Sequence, residues 1–273
     1  MKAPRERNAP VEHQRIERWL DEFARYRYAV TERKIERWLE QFAPIHRDVA
    51  ARLLDVVDFV APEQIDAAFR SLLARLNGWD KDERRRSGRW RFVPFSVSAG
   101  ESGDTMLHAF RVANDLDYKK YNNLFIQKRD LLAEGLGASD NVVFVDDFAG
   151  TGDQAVRGWQ QSIGELLPGR PKAYLVMPVV RQAARRRIAE ETDFRVLAHK
   201  ELHEGDELFN NACSHFSNTE KRALLRYCQR ASPQTPRGYG ECGLVLVFAH
   251  RCPNNTIPIL HAAHRDWNGL FPR

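Results

Sequence analysis

No apolar run in this sequence approaches the ~20 residues that a membrane-spanning helix requires, so a helical membrane protein is not expected. The opening segment, MKAPRERNAPVEHQ, has no hydrophobic stretch of the secretory kind, which makes a cytoplasmic chain the expectation. Cysteine is scarce. Cys213, Cys228, Cys242 and Cys252 are widely spaced with no CxxC pair, so they read as reduced thiols and not as a zinc site or a disulfide frame. The pairs His199/His203 and His261/His264 have helical spacing but no further ligand motif, so surface or core histidine is the better reading. Strand signal is nearly absent from the first eighty residues. Charge of one sign is also absent over most of the chain: the net charge is +5, and its positive excess is patchy. Lys81–Arg91 (KDERRRSGRWR) and Arg181–Arg187 (RQAARRR) are its clusters. They suit a phosphate backbone, a small anionic substrate or a solvated face equally well, so nucleic-acid contact stays open.

What is present begins with a duplication. IERWLDEFA (16–24) and IERWLEQFA (35–43) agree at seven of nine positions, 19 residues apart. On one continuous helix that offset would turn the second apolar stripe by about 100° from the first. Two separate helices, each burying Ile, Trp, Leu and Phe, are therefore expected. Trp19 and Trp38 read as core or partner-facing. Residues 48–78 supply two more amphipathic helices, with Pro62 at a helix start and Gly78 at an end. The polar stretch 80–88 marks a boundary between a helical region at 1–79 and a second region at 80–273.

From Trp90 strands and helices alternate. WRFVPFSVSA, NVVFVDD, KAYLVMPVV, FRVLAHKEL and GLVLVFAHR read as strands, with helical segments between them. The fold class is α/β, a mostly parallel sheet with helices on both faces, preceded by an N-terminal α-helical region. Ligands of such sheets gather at the carboxyl ends of the strands.

Two loops should meet there. In VDDFAGTGDQ, an apolar strand ends in Asp146 and Asp147, and Ala149, Gly150, Thr151, Gly152 and Asp153 follow. Glycine lets backbone approach a ligand, and successive amides can form an anion nest. Paired carboxylates ask instead for sugar hydroxyls and a hard cation, which makes magnesium the expected ion, held by Asp146 and Asp147 directly or through sugar hydroxyls and water. The second loop is SAGESGDT, with Gly100, Ser102, Gly103 and Asp104 at a helix start. Asn254 and Asn255, in CPNNTIPIL, offer amides either to a base edge or to their own loop.

Val142–Gln154 resembles the phosphoribosyl-pyrophosphate signature of the type I phosphoribosyltransferases. The resemblance implies a sheet of phosphoribosyltransferase type. It also puts Asp146 and Asp147 at the ribose hydroxyls, as the catalytic carboxylates, and the loop Ala149–Asp153 at the 5′-phosphate. Gly100–Asp104 would then stand at the pyrophosphate loop. The flexible-loop position would carry Lys119, Lys120 and Lys128. Asp153 and Gln154 depart from the pattern, the first placing an acid inside the phosphate loop. Together with the WLEQF and HRCPNNTIPIL segments, the motif is similar to the divergent phosphoribosyltransferase-like proteins of bacterial anti-phage systems, found beside retron reverse transcriptases. That likeness implies an effector acting on phosphoribosyl pyrophosphate or nucleotides. It also implies a reverse transcriptase or ribonucleoprotein partner at the N-terminal helices. The alternative is a nucleotide-sensing or assembly subunit without turnover.

Overall fold

A computed structural model describes residues 13–96, 102–264 and 267–273. In chain order the helices α1 (His13–Glu22), α2 (Glu32–Glu40) and α3 (Arg47–Asp55) lead to strand β1 (Asp58–Val60) and helix α4 (Pro62–Ala74). Strand β2 (Trp90–Pro94), helix α5 (Gly103–Ala113), strand β3 (Asn141–Val145) and the short strand β4 (Phe148–Ala149) follow. Helix α6 (Asp153–Gly158) runs through a π-helical turn (Trp159–Ile163) into α7 (Gly164–Leu166). Then come β5 (Lys172–Arg181), α8 (Gln182–Glu191), β6 (Arg195–Leu202) and α9 (Asn218–Ala231). Strand β7 (Leu246–Phe248), helix α10 (Pro258–His261) and the hairpin strands β8 (Ala263–His264) and β9 (Trp267–Asn268) complete the described elements.

Packing divides the chain into two compact units, 1–62 with 204–273, and 63–203. Composition, by contrast, changes at 79/80. The difference arises because the C-terminal segment returns to share a core with the N-terminal helices, a long-range pairing that composition does not carry.

In the unit formed by 1–62 and 204–273, the duplicated segments make two separate helices, as the 19-residue offset requires. Thr31 caps α2, accepting from the Lys34 N–H at 3.4 Å. Ile16, Trp19 and Phe23 from one copy, and Ile35, Trp38 and Phe42 from the other, are buried in one cluster with Ile257, Ile259, Leu260, Trp267 and Phe271. The indoles of Trp38 and Trp267 donate to the same carbonyl, that of Ile259, at 2.8 and 2.9 Å. The Trp19 indole donates to Asp55 at 2.9 Å. Both tryptophans are thus core residues with their polar edges satisfied. GLVLVFAHR does contain a strand, but β7 pairs in parallel with β1, outside the large sheet. The three-residue β1 lies inside an apolar stretch that reads as helix, and tertiary pairing decides its state.

The unit 63–203 holds a five-stranded parallel sheet. β2 pairs β3, β3 and β4 both pair one edge of β5, and β6 pairs its other edge. Val142, Val143, Phe144 and Val145 are all buried, because β3 is central and covered on both faces. Successive side chains alternate between those faces. Val93, Phe95, Val142, Phe144, Leu175 and Met177 pack with Ala155 and Ile163, and with Ala184 and Ile188 of α8. Trp90 and Phe92 instead meet Trp79 and Phe110, and Phe110 meets Phe69 of α4. The mostly parallel sheet with helices on both faces is the architecture expected from the alternation of elements.

Much of the basic run at 81–91 is neutralised locally. Arg84 pairs with Asp82, Arg89 with Asp140 and Arg91 with Glu134, while the Arg86 guanidinium lies 4.6 Å from the Trp79 ring centroid. Arg89 and Arg91 tie the start of β2 to the 134–140 segment.

Candidate functional site at the ends of β2 and β3

β3 and β4 are one line of backbone, opened at two residues. Val145 stands opposite Val176 and Phe148 opposite Val179, so the register is the same on both sides of the opening. Asp146 and Asp147 fill the gap, facing Met177 and Pro178. Asp146 N–H still donates to Val176 O at 3.0 Å, and Val179 N–H to Asp147 O at 3.4 Å. In a parallel ladder the Asp146 carbonyl would next accept from residue 178. Pro178 has no N–H to give, and a proline inside a central strand is found where a ladder is interrupted. The paired carboxylates therefore sit where the sheet is locally unzipped.

The two carboxylates are in different surroundings. Asp146 is buried, 8% exposed, and Asp147 is half-buried. Asp146 accepts from its neighbour's N–H at 2.9 Å and from the Ser102 hydroxyl at 3.3 Å. Burial, and then the negative charge of Asp147, push the Asp146 carboxyl well above the ordinary carboxylate range. A divalent cation placed between the two carboxyls would offset that repulsion. This donor set of two adjacent carboxyls and a hydroxyl suits magnesium, a hard cation that takes oxygen ligands.

Ser102 reaches this pair because α5 starts hard against the end of β2. A Cβ at Gly103 would lie 2.1 Å from the Phe95 carbonyl oxygen, so only glycine permits the approach. Asp104 stands exposed in the first turn of α5. Gly100 lies outside the described residues. Lys128 belongs to this edge too, its ammonium donating to Ser96 O at 2.9 Å. Lys119 and Lys120 are exposed, and the Lys120 ammonium is 4.7 Å from the Tyr121 ring centroid.

After β4 the chain turns through Gly150, Thr151 and Gly152. Gly152 has φ +79°, and a Cβ there would stand 3.2 Å from Ala184 O and 3.1 Å from Ile188 Cγ1, so the loop lies directly on α8. Within this turn the Thr151 hydroxyl and the Asp153 acid are engaged with each other and with α8. Thr151 Oγ1–H donates to Asp153 Oδ2 at 2.9 Å, and Asp153 N–H donates back to Thr151 Oγ1 at 3.2 Å. Arg187 of α8 donates to the other Asp153 oxygen and, at 3.4 Å, to Thr151 O. The acid in the loop is neutralised by a cation that the motif does not contain. Arg187 stood in the sequence only as part of a basic cluster. The i,i+4 spacing to Glu191 was visible, but its reach to residue 153 was not.

Asn254 and Asn255 belong to the other compact unit. Asn254 is exposed, whereas Asn255 is buried and donates to Tyr239 O at 3.0 Å and to Cys242 Sγ at 3.4 Å. Its amide thereby ties this loop to the turn at 239–242. His261 is half-buried, its Nε2 3.1 Å from Thr256 O. Among the described residues no group of three or more His, Cys, Asp or Glu is placed to hold a metal, and no helix is long and apolar enough to cross a membrane.

A family model described as PRTase-CE matches residues 35–273, from the second copy of the duplicated helix to the last residue. The chain belongs to the PRTase-CE family and is phosphoribosyltransferase-like. No curated protein matches it.

Proposed function

We propose that this member of the PRTase-CE family binds phosphoribosyl pyrophosphate or a nucleotide at the ends of β2 and β3, with magnesium, and acts at C1 of the ribose. The observation that carries this is the opening of the β3–β4 line at Asp146 and Asp147. A buried carboxyl and a half-exposed one stand there beside a glycine turn resting on α8. Asp147, the more exposed of the two, would accept from the ribose hydroxyls. Asp146 and Ser102 would fix its position and share its charge. Magnesium, when bound, would offset pyrophosphate charge as the bond to C1 lengthens. The loop amides and the Lys128 ammonium would meet the phosphate groups, and carboxylate charge near C1 would favour the developing cation.

Its biological setting, in this proposal, is the one the sequence resemblance implies: an effector of a bacterial anti-phage system of retron type. A reverse transcriptase or ribonucleoprotein partner at the N-terminal helices would have to use their polar faces, because their apolar faces are buried.

The second reading is a sensing or assembly subunit that binds without turnover. It is favoured by Asp153, which already accepts from the Thr151 hydroxyl and from Arg187 of α8. Phosphorus NMR of the protein with phosphoribosyl pyrophosphate and magnesium separates the two. Free pyrophosphate that appears with the wild type and not with Asp146→Asn/Asp147→Asn supports the enzyme. Bound ligand that persists unchanged supports the sensor.

A further inference from the structure

We infer that Arg187 is a phosphate-binding residue of this site, and that Asp153 is an internal carboxylate which the ligand's phosphate must displace from it. The inference rests on the reading of 149–153 as a phosphate loop.

Three features point to it. First, the Asp153 carboxylate is bound in the manner of a ligand anion, one oxygen taking the Thr151 hydroxyl and the other the Arg187 guanidinium. Those are the side-chain groups that a phosphate in this loop would seek, and a planar guanidinium serves carboxylate and phosphate alike. Second, Arg187 is not held by Asp153 alone. Its Nε donates to Glu191 Oε1 at 2.8 Å, one helical turn along α8. If Asp153 left, Glu191 would keep the guanidinium in place and its Nη1 would stay turned toward the loop. Third, Asp153 has somewhere to go. It is the first residue of α6, its side chain is 27% exposed, and a rotamer change would move its charge into water without unwinding the helix.

The loop is thus closed by its own anion, and binding is an exchange of one anion for another on Arg187. The exchange selects against weak anions, because the incoming group must outcompete a tethered carboxylate. A phosphate dianion carries more charge and more acceptor oxygens than Asp153 does. A sugar lacking the phosphate has nothing to offer Arg187.

The test is calorimetric titration of ribose 5-phosphate into the full chain, with ribose as control, for the wild type, Asp153→Asn, Arg187→Gln and the double variant. Removing the internal competitor in Asp153→Asn should tighten ribose 5-phosphate binding about fivefold or more, with no gain for ribose. Arg187→Gln should weaken it about tenfold or more. In the double variant the gain from Asp153→Asn should vanish. A gain that survives without Arg187 would mean simple charge removal and would overturn the inference. So would an Asp153→Asn variant that binds no more tightly than a wild type whose binding is lost in Asp147→Asn, and that result leaves the proposed site standing. Failure of every variant to bind ribose 5-phosphate would overturn the phosphate-loop reading and this inference with it. If Arg187→Gln does not fold, Arg187→Lys keeps the charge without the fork and should still lose part of the Asp153→Asn gain.

Discussion

Pro178 lies opposite Asp147 in the register that β3 and β4 share along β5, and the ladder is open at that place. One residue without an N–H, 31 positions from the carboxylates in sequence, thereby accounts for where the strand releases them. Proline is disfavoured in a central strand, so the local cost falls at the edge proposed to bind the ligand.

Pro178→Ala should show this directly. Alanine restores an N–H that can pair with the Asp146 carbonyl, a gain of about 1 kcal/mol, while the unfolded chain regains freedom worth about 0.4–1 kcal/mol. Stability should change little, and ribose 5-phosphate affinity should fall as the carboxylates are drawn back toward the ladder. Thermal melts and calorimetry on one preparation check both halves.

Gly103→Ala should destabilise the 63–203 unit by about 1–3 kcal/mol, since the new methyl would collide with the Phe95 carbonyl. Urea denaturation measures the loss. Ligand affinity should fall as well, because Ser102 reaches Asp146 only while α5 keeps its close seat.

Asp146 makes a signed pH prediction. Its folded pKa is raised, so its contribution is fully present below the unfolded value near 3.9 and is lost as pH rises through the folded value. Asp146→Asn abolishes that loss. The melting temperature of the variant relative to the wild type should climb steadily as pH is raised above about 4.

His261 slopes the other way. Burial lowers its pKa to about 4, so its contribution is fully present above about 6.5 and is lost as pH falls through the folded value. The loss amounts to about 3 kcal/mol at most. His261→Gln should flatten the acid limb of the stability curve, measured by urea melts from pH 7 to 4.

Trp38→Ala should cost about 3–5 kcal/mol, because the ring is buried against the C-terminal segment and its indole bond to Ile259 is lost. A fall in stability near zero would place the helix outside the core. Denaturant unfolding followed by tryptophan fluorescence reads the difference.

The strand-turn-helix at 141–158 was legible because each part is local. Val142–Val145 is a continuous apolar run, two aspartates end it, and glycines precede a helix start. The separation of the duplicated helices was legible for the same reason, from the 3.6-residue period alone. What escaped was long-range. The Arg187–Asp153 pair spans 34 residues and depends on α8 lying under the loop. The role of Pro178 depends on register, which the sequence of β5 does not state. The pairing of β1 with β7 joins residues nearly 190 positions apart, and the composition of either segment gives no sign of the other.

The most direct measurement is calorimetric titration of phosphoribosyl pyrophosphate with and without magnesium, into the wild type and into Asp146→Asn/Asp147→Asn. Saturable, magnesium-dependent binding that disappears in the double variant is the predicted result. Binding of equal strength in both proteins, or none in the wild type, would contradict a ribose-phosphate site at the opened end of β3.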